Sequence, residues 1–341
     1  MTSANIAPVA APTDADLLIV GAGPAGLFAC FYAGLRGLSV ILLDSLPHLG
    51  GQVAALYPDK DILDVAGFPA VTGRDLTDRL IEQARMAEPE IVLGEQAEKL
   101  EHEDDRVIVT TGSGRRIAVG AVLVTAGIGS FTPRSLPALD AFTGSGIHYV
   151  VAALDEYCDK HVVVVGGGDS AIDWVNTLTP LARSVTLVHR RARFRAHEMS
   201  VAQLRASSAQ VLTHSEIAMV HGDRTVDRIT VQNSATGQTA RIDADVVIVA
   251  LGHIASLGAM TSWGLRLAGQ QIEVGTDMAT GVHRVYAAGD ITTYPGKVRL
   301  IAVAFGEAAT AVNNIGVLLR PDQELFPGHS TDMASVPSPI A

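Results

Sequence analysis

The sequence predicts an α/β chain of two Rossmann-like, three-layer domains, the second inserted into the first. Three observations predict it. An apolar strand runs straight into a glycine turn and a helix at 17–26, and again at 161–171. Each of these units is followed by a second apolar strand, Ser39–Asp44 and Ser184–Val188. Two further apolar strands that end in small residues, Ala121–Gly127 and Ala244–His253, bracket the second unit.

The bulk numbers suit that fold. A chain of 341 residues, 48% hydrophobic, has ample material for two packed cores. It is rich in glycine, with 33, and only 5% aromatic, as expected for tight turns joined to buried Val/Ile/Leu strands. The formal net charge of −11 argues against non-specific nucleic-acid binding. There are two cysteines, Cys30 and Cys158, with no CxxC between them. That pattern points to a reducing compartment, taken as the cytoplasm, and both thiols are expected to be structural. Residues 1–15 carry no Lys or Arg and do not resemble a signal peptide. No membrane span is expected, because no window approaches 18 consecutive apolar residues.

The elements follow in order. Residues 16–20 form a strand, 24–36 a helix and 39–43 a second strand. Leu27, Cys30, Phe31, Gly34 and Leu35 recur at helical spacing, so that helix lays one face on a sheet. A mixed loop covers 46–72, and a helix begins at Gly73. Short strands fill 90–124, turning at Asp104–Asp105 and Gly112–Gly114. A strand at 284–290 and a helix at about 299–317 close the chain. The expected division is 15–126 with 246–331 for the outer domain and 127–245 for the inserted one. Residues 1–14 and 332–341 are expected to be disordered tails.

The first turn, Gly21-Ala-Gly23-Pro-Ala25-Gly26, is a pyrophosphate fingerprint, with an acid, Asp44, 23 residues after Gly21. An acid at the end of the second strand accepts hydrogen bonds from a ribose 2′-hydroxyl, and this site is expected to hold FAD. The second fingerprint, Gly166-Gly-Gly168-Asp169-Ser170-Ala171, has His189, Arg190 and Arg191 after its second strand, with Arg193 and Arg195 just beyond. Guanidinium groups suit a 2′-phosphate, so this site is expected to prefer NADP(H). Asp290 in Ala288-Gly-Asp290 stands between a strand and a helix, where it can cap the helix or accept from a flavin side chain. No metal-ligating cluster is assigned.

These motifs, with Gly252-His253, resemble the low-molecular-weight thioredoxin reductases. The redox cysteines of that family would fall at 150 and 153, where this chain has Val150 and Ala153. A dithiol route is thereby excluded, since the thiolate is the chemistry. The chain instead resembles the thioredoxin-reductase-like type of bacterial ferredoxin–NADP(+) reductase over about residues 15–331. The likeness is carried by Gly50–Pro69, Tyr294–Ile301, Phe305–Ala308 and the tail Phe326–Thr331. It implies that Gly51 and Gln52 contact FAD, that Tyr57 stacks on one flavin face and that Ala97 presents its backbone to adenine. It implies also that Phe131 lines the pocket, and that His329 and Thr331 cover the other flavin face from a neighbouring subunit of a homodimer.

The expected reaction moves a hydride between nicotinamide and flavin N5, then single electrons to or from ferredoxin or flavodoxin. No acid–base side chain is required, and none is assigned as catalytic. The inserted domain is expected to rotate on crossings near Gly127 and Gly252. Lys60, Lys297 and Arg299 are expected to form a basic docking patch for the acidic partner. A diaphorase or oxidase without a protein partner, a flavin reductase using another thiol, a thiol-independent relative of thioredoxin reductase and a non-catalytic nucleotide-binding protein remain as alternatives.

Overall fold

The computed structural model describes residues 13–142, 144–151, 153–329 and 331. Of the expected tails 1–14 and 332–341, residues 1–12 and 332–341 lie outside the described residues, whereas Thr13 and Asp14 belong to a strand and pair with Ile117 and Ala118. The chain divides into two compact units, 1–130 with 255–341, and 131–254.

The first unit is built on a seven-stranded sheet. Its parallel part runs Glu90–Leu93, Val40–Asp44, Thr13–Val20, Arg116–Val124. Residues 97–119 add an antiparallel meander, in which Arg106–Thr111 pairs with both Ala97–Glu103 and the first half of Arg116–Val124. The second half of Arg116–Val124 takes Val285–Ala287 as a parallel neighbour, with Val124 opposite Ala287. Alternation along the central strands sorts the core into two layers. Leu17, Ile19, Leu42 and Leu123 pack with helix residues such as Leu27, Ala33 and Ile315. Leu18, Val20, Leu43 and Val124 pack with Val107 and Val109 of the meander.

Helix Pro24–Leu35 begins with proline at its first position, where the missing N–H costs nothing. Helix Gly73–Arg85 is capped by Thr72, whose hydroxyl accepts the Asp75 N–H at 3.1 Å. The 19-residue helix Ile301–Leu319 is long and apolar enough to cross a membrane. Here one of its faces, with Ala304, Ala308, Ala311 and Ile315, is buried within the unit.

The second unit repeats the design. Five parallel strands stand in the order Ile147–His148, Val246–Ala250, His161–Gly166, Ser184–Val188, Gln210–Leu212. Val162 and Val164 face helix Asp169–Leu178 through Ile172 and Val175. Val163 and Val165 face the three-stranded antiparallel layer through Ile217, Ile229 and Val231.

The division differs from the sequence expectation at both crossings: residues 127–130 fall in the first unit and 246–254 in the second. The sequence places residues 246–254 in the outer domain, but Val246–Ala250 is hydrogen-bonded on both sides by strands of the inserted unit. An apolar run ending in small residues marks a strand beside a nucleotide turn without saying which sheet owns it. The two strands at the crossings look alike in sequence; one belongs to each unit.

Candidate functional site

In the first unit the turn after Val20 is held by a close fit. Gly21 has φ +112, and a Cβ there would stand 2.6 Å from the Thr125 carbonyl oxygen. A Cβ on Gly26 would fall 1.9 Å from the Gly21 oxygen, so helix and strand touch through backbone alone. The Thr125 hydroxyl donates to that same oxygen at 2.7 Å. Gly23 caps the helix that starts at Pro24, and Ala25 is buried behind it. Gly51 opens helix Gly51–Leu56 so near that a Cβ on it would lie 2.7 Å from the Cα of Gly23.

Asp44 closes the second strand and is buried. Its two carboxylate oxygens each accept a backbone N–H, from Ala22 at 2.6 Å and Leu46 at 2.8 Å. Burial raises its pKa above the ordinary carboxylate range, and the backbone N–H groups oppose that shift. The remaining lone pairs leave room to accept from a ligand hydroxyl.

Tyr57 stands at the C-terminal end of Gly51–Leu56 and is partly buried. Its phenol is pushed up to about 12, first by burial and then by the charges of Asp290 and Asp64. Asp290 follows Gly289 (φ +84), and a Cβ at Gly289 would lie 3.3 Å from that of Ala25. The turn carrying Asp290 thus abuts the start of the first fingerprint helix. Burial raises the Asp290 pKa, while Lys297 and Arg299 pull it down. The Gln52 amide is beside Gly127, where a Cβ would be 2.4 Å from its nitrogen. Ala97 is buried at the start of its strand. Phe131 begins the inserted unit, and its side chain lies outside the described residues. His329 is exposed, edge-on to Phe326 at 5.2 Å, and Thr331 is exposed too.

In the second unit, Gly166 ends the strand and Gly168 caps helix Asp169–Leu178. The loop 189–195 folds back onto this turn, with the Arg195 N–H donating to the Gly167 carbonyl at 2.7 Å. Arg190, Arg191, Arg193 and Arg195 are exposed, and none has an acidic partner among the described residues. Ser170 is exposed at the first turn of the helix. His189 and Asp169 are placed differently. The His189 ring is buried, with Nε2 bonded to the Arg193 carbonyl at 3.0 Å. The Asp169 carboxylate accepts the His197 N–H at 2.8 Å. Both side chains brace the arginine loop.

Two expectations are corrected. Lys297 does not belong to a docking patch: its side chain is 6% exposed and ion-paired with Glu307. Cys158, expected to be structural, is exposed and free, whereas Cys30 is buried with its thiol pushed up to about 12 by desolvation. Sequence reasoning missed Thr125 and Glu307. The signal for Glu307 was present, as a lone acid in the apolar run Ile301–Leu319.

Residues 15–308 match the family described as pyridine nucleotide-disulphide oxidoreductase. Two solved structures share the fold. Thioredoxin reductase of T. acidophilum superposes with a TM-score of 0.76 at 24% identity, covering 89% of this chain and 98% of its own. That of Lactococcus lactis gives 0.75 at 22%, covering 89% and 99%. Curated relatives are nearer in sequence. "Ferredoxin--NADP reductase" of Frankia alni is 53% identical, over 92% of this chain and 98% of its own length. That of Thermus thermophilus is 47% identical, over 94% and 97%. The chain belongs to the pyridine nucleotide-disulphide oxidoreductase family and, within it, to the ferredoxin–NADP reductases.

Proposed function

We propose that this chain is a flavoenzyme that carries electrons between NADP(H) and ferredoxin, with FAD held by the first unit and NADP(H) by the second. The observation that carries this reading is the contrast between the two cradles. One ends its second strand in a buried acid with spare lone pairs, and the other in four exposed arginines without acidic partners. The relatives' names support ferredoxin as the partner.

The residues fit the two groups. Asp44 would accept from the adenosine ribose of FAD, and the Gly21–Gly26 turn would bring backbone and helix N-terminus to its pyrophosphate. Gly51 and Gln52 would line the flavin side, Tyr57 would stack on the ring, and Asp290 would accept from the ribityl chain. Ala97 would offer its backbone to adenine, and Phe131 would line the pocket. Gly166, Gly168 and Ser170 would cradle the NADP(H) pyrophosphate, and Arg190, Arg191 and Arg195 would bind its 2′-phosphate. When bound, FAD supplies the redox chemistry, accepting two electrons from the nicotinamide and releasing them singly. The protein's part is to hold both groups and keep water from the reacting ring. No thiol relay takes part, because the chain's two cysteines form no CxxC pair and Cys30 is buried.

The same reading makes the enzyme a cytoplasmic homodimer, in which His329 and Thr331 of one chain cover the flavin of the next. Its support is the exposure of Leu325 and Phe326, 53% and 57%, at the root of that segment. The deciding experiment uses purified yellow protein. NADPH should bleach its flavin band far faster than NADH, and ferredoxin should stimulate cytochrome c reduction. Bleaching without stimulation by ferredoxin would mark a diaphorase, and colourless protein that takes up no flavin would sink the proposal.

A further inference from the structure

Helix Ile301–Leu319 carries one acid, Glu307, and turns it into the core. A buried carboxylate is costly unless it is fully partnered. Every partner of Glu307 leads to one turn. Oε2 accepts the Gly289 N–H at 2.7 Å. Oε1 accepts the Tyr294 hydroxyl at 2.6 Å and pairs with the Lys297 ammonium. Lys297 Nζ in turn donates to the Gly289 carbonyl at 3.1 Å, which also accepts the Thr292 hydroxyl at 2.8 Å. Gly289 is therefore fixed at both its N–H and its C=O, in the left-handed conformation that aims the next residue, Asp290.

We propose that Glu307 is a positioning residue for the flavin: with Lys297 and Tyr294 it locks the 289–290 turn against Ala25 and sets the Asp290 carboxylate. This rests on the reading that the first unit holds FAD. A purely packing role is the weaker account. The face around Glu307 is lined by Ala304, Ala308 and Ala311, and an apolar side chain would suit it without needing two buried charges. The ion pair also absorbs the charge of Lys297, the first cation acting on Asp290.

The test compares holoproteins of wild type, Glu307→Gln and Tyr294→Phe. Flavin release on dilution, followed by flavin fluorescence, should be at least about tenfold faster in Glu307→Gln, the loss expected for a hydrogen bond to a charged group. The visible flavin band should shift, while NADPH binding to the second unit stays at the wild-type value. Tyr294→Phe removes one donor from a charge that keeps its others, so release should rise about threefold. If Glu307→Gln does not fold, Tyr294→Phe alone decides. Release and spectrum both at wild-type values in a folded variant overturn the proposal, even where the melting temperature falls. Wild-type protein that holds no FAD overturns the functional reading instead, so the two failures are separable.

Discussion

The imidazole of His189 occupies the space that a side chain at Gly167 would need. A Cβ on Gly167 would stand 2.1 Å from the ring's Cε1 and 2.2 Å from Nδ1. The middle glycine of the second fingerprint is thus required by a histidine, and that histidine holds the arginine loop through Arg193.

Gly167→Ala should therefore act on the arginines it never touches. Displacing the ring from a packed position costs about 1–3 kcal/mol. The NADPH KM should rise by about tenfold, since each 1.4 kcal/mol is a factor of ten. The KM for NADH should change little. Steady-state kinetics with both nucleotides checks this, and equal rises for the two would place the damage in the pyrophosphate cradle.

Arg190→Ala/Arg191→Ala should remove the preference for NADPH over NADH. Charge-assisted hydrogen bonds contribute about 1.5–3 kcal/mol each, so the NADPH KM should rise about 10- to 100-fold. An unchanged NADPH KM would refute the phosphate assignment.

Asp44→Asn offers one acceptor where two backbone donors converge, Ala22 and Leu46. One N–H is left facing an amide nitrogen, at a cost of about 1–3 kcal/mol. The flavin content of the purified protein should fall, read from the ratio of visible to ultraviolet absorbance.

The two cysteines should differ sharply under alkylation. The Cys30 thiol is raised from 9.0 to about 12, so the folded chain keeps its proton where the unfolded chain loses it. The stability tied to this group is complete below pH 9.0 and is lost as pH rises toward about 12. At mildly alkaline pH a thiolate displaces iodide from iodoacetamide, which should add one group per native chain, at Cys158. Intact mass reads the number of adducts, and NADPH-driven turnover should survive the modification.

Without Lys297, basic docking near the flavin falls to Lys60 and Arg299. Lys60→Ala/Arg299→Ala should raise the ferredoxin KM, and added salt should shrink the difference between variant and wild type. A KM indifferent to both changes would remove charge from the docking step.

Much of this was legible in the sequence. Both fingerprints, Asp44 and the arginine run announced themselves because a backbone that must approach phosphate admits few residue types. Helix Gly73–Arg85 was placed at its true start because Thr72 and Asp75 form a local cap. What could not be read was decided by contacts distant in sequence. Val246–Ala250 chose its sheet through pairing with His161–Gly166. Lys297 looked like a surface charge until the following helix delivered Glu307, ten residues on. His189 looked like an arginine's companion, yet its ring answers to Gly167 in the turn after another strand.

The pairing of Val124 with Ala287 orders events during synthesis. Residues 131–254 leave the ribosome as a complete unit before Val285–Ala287 exists to take its place in the earlier sheet. The guest thus matures while its host waits, and Val122–Val124, the second half of the host's central strand, stands with one flank bare through that interval.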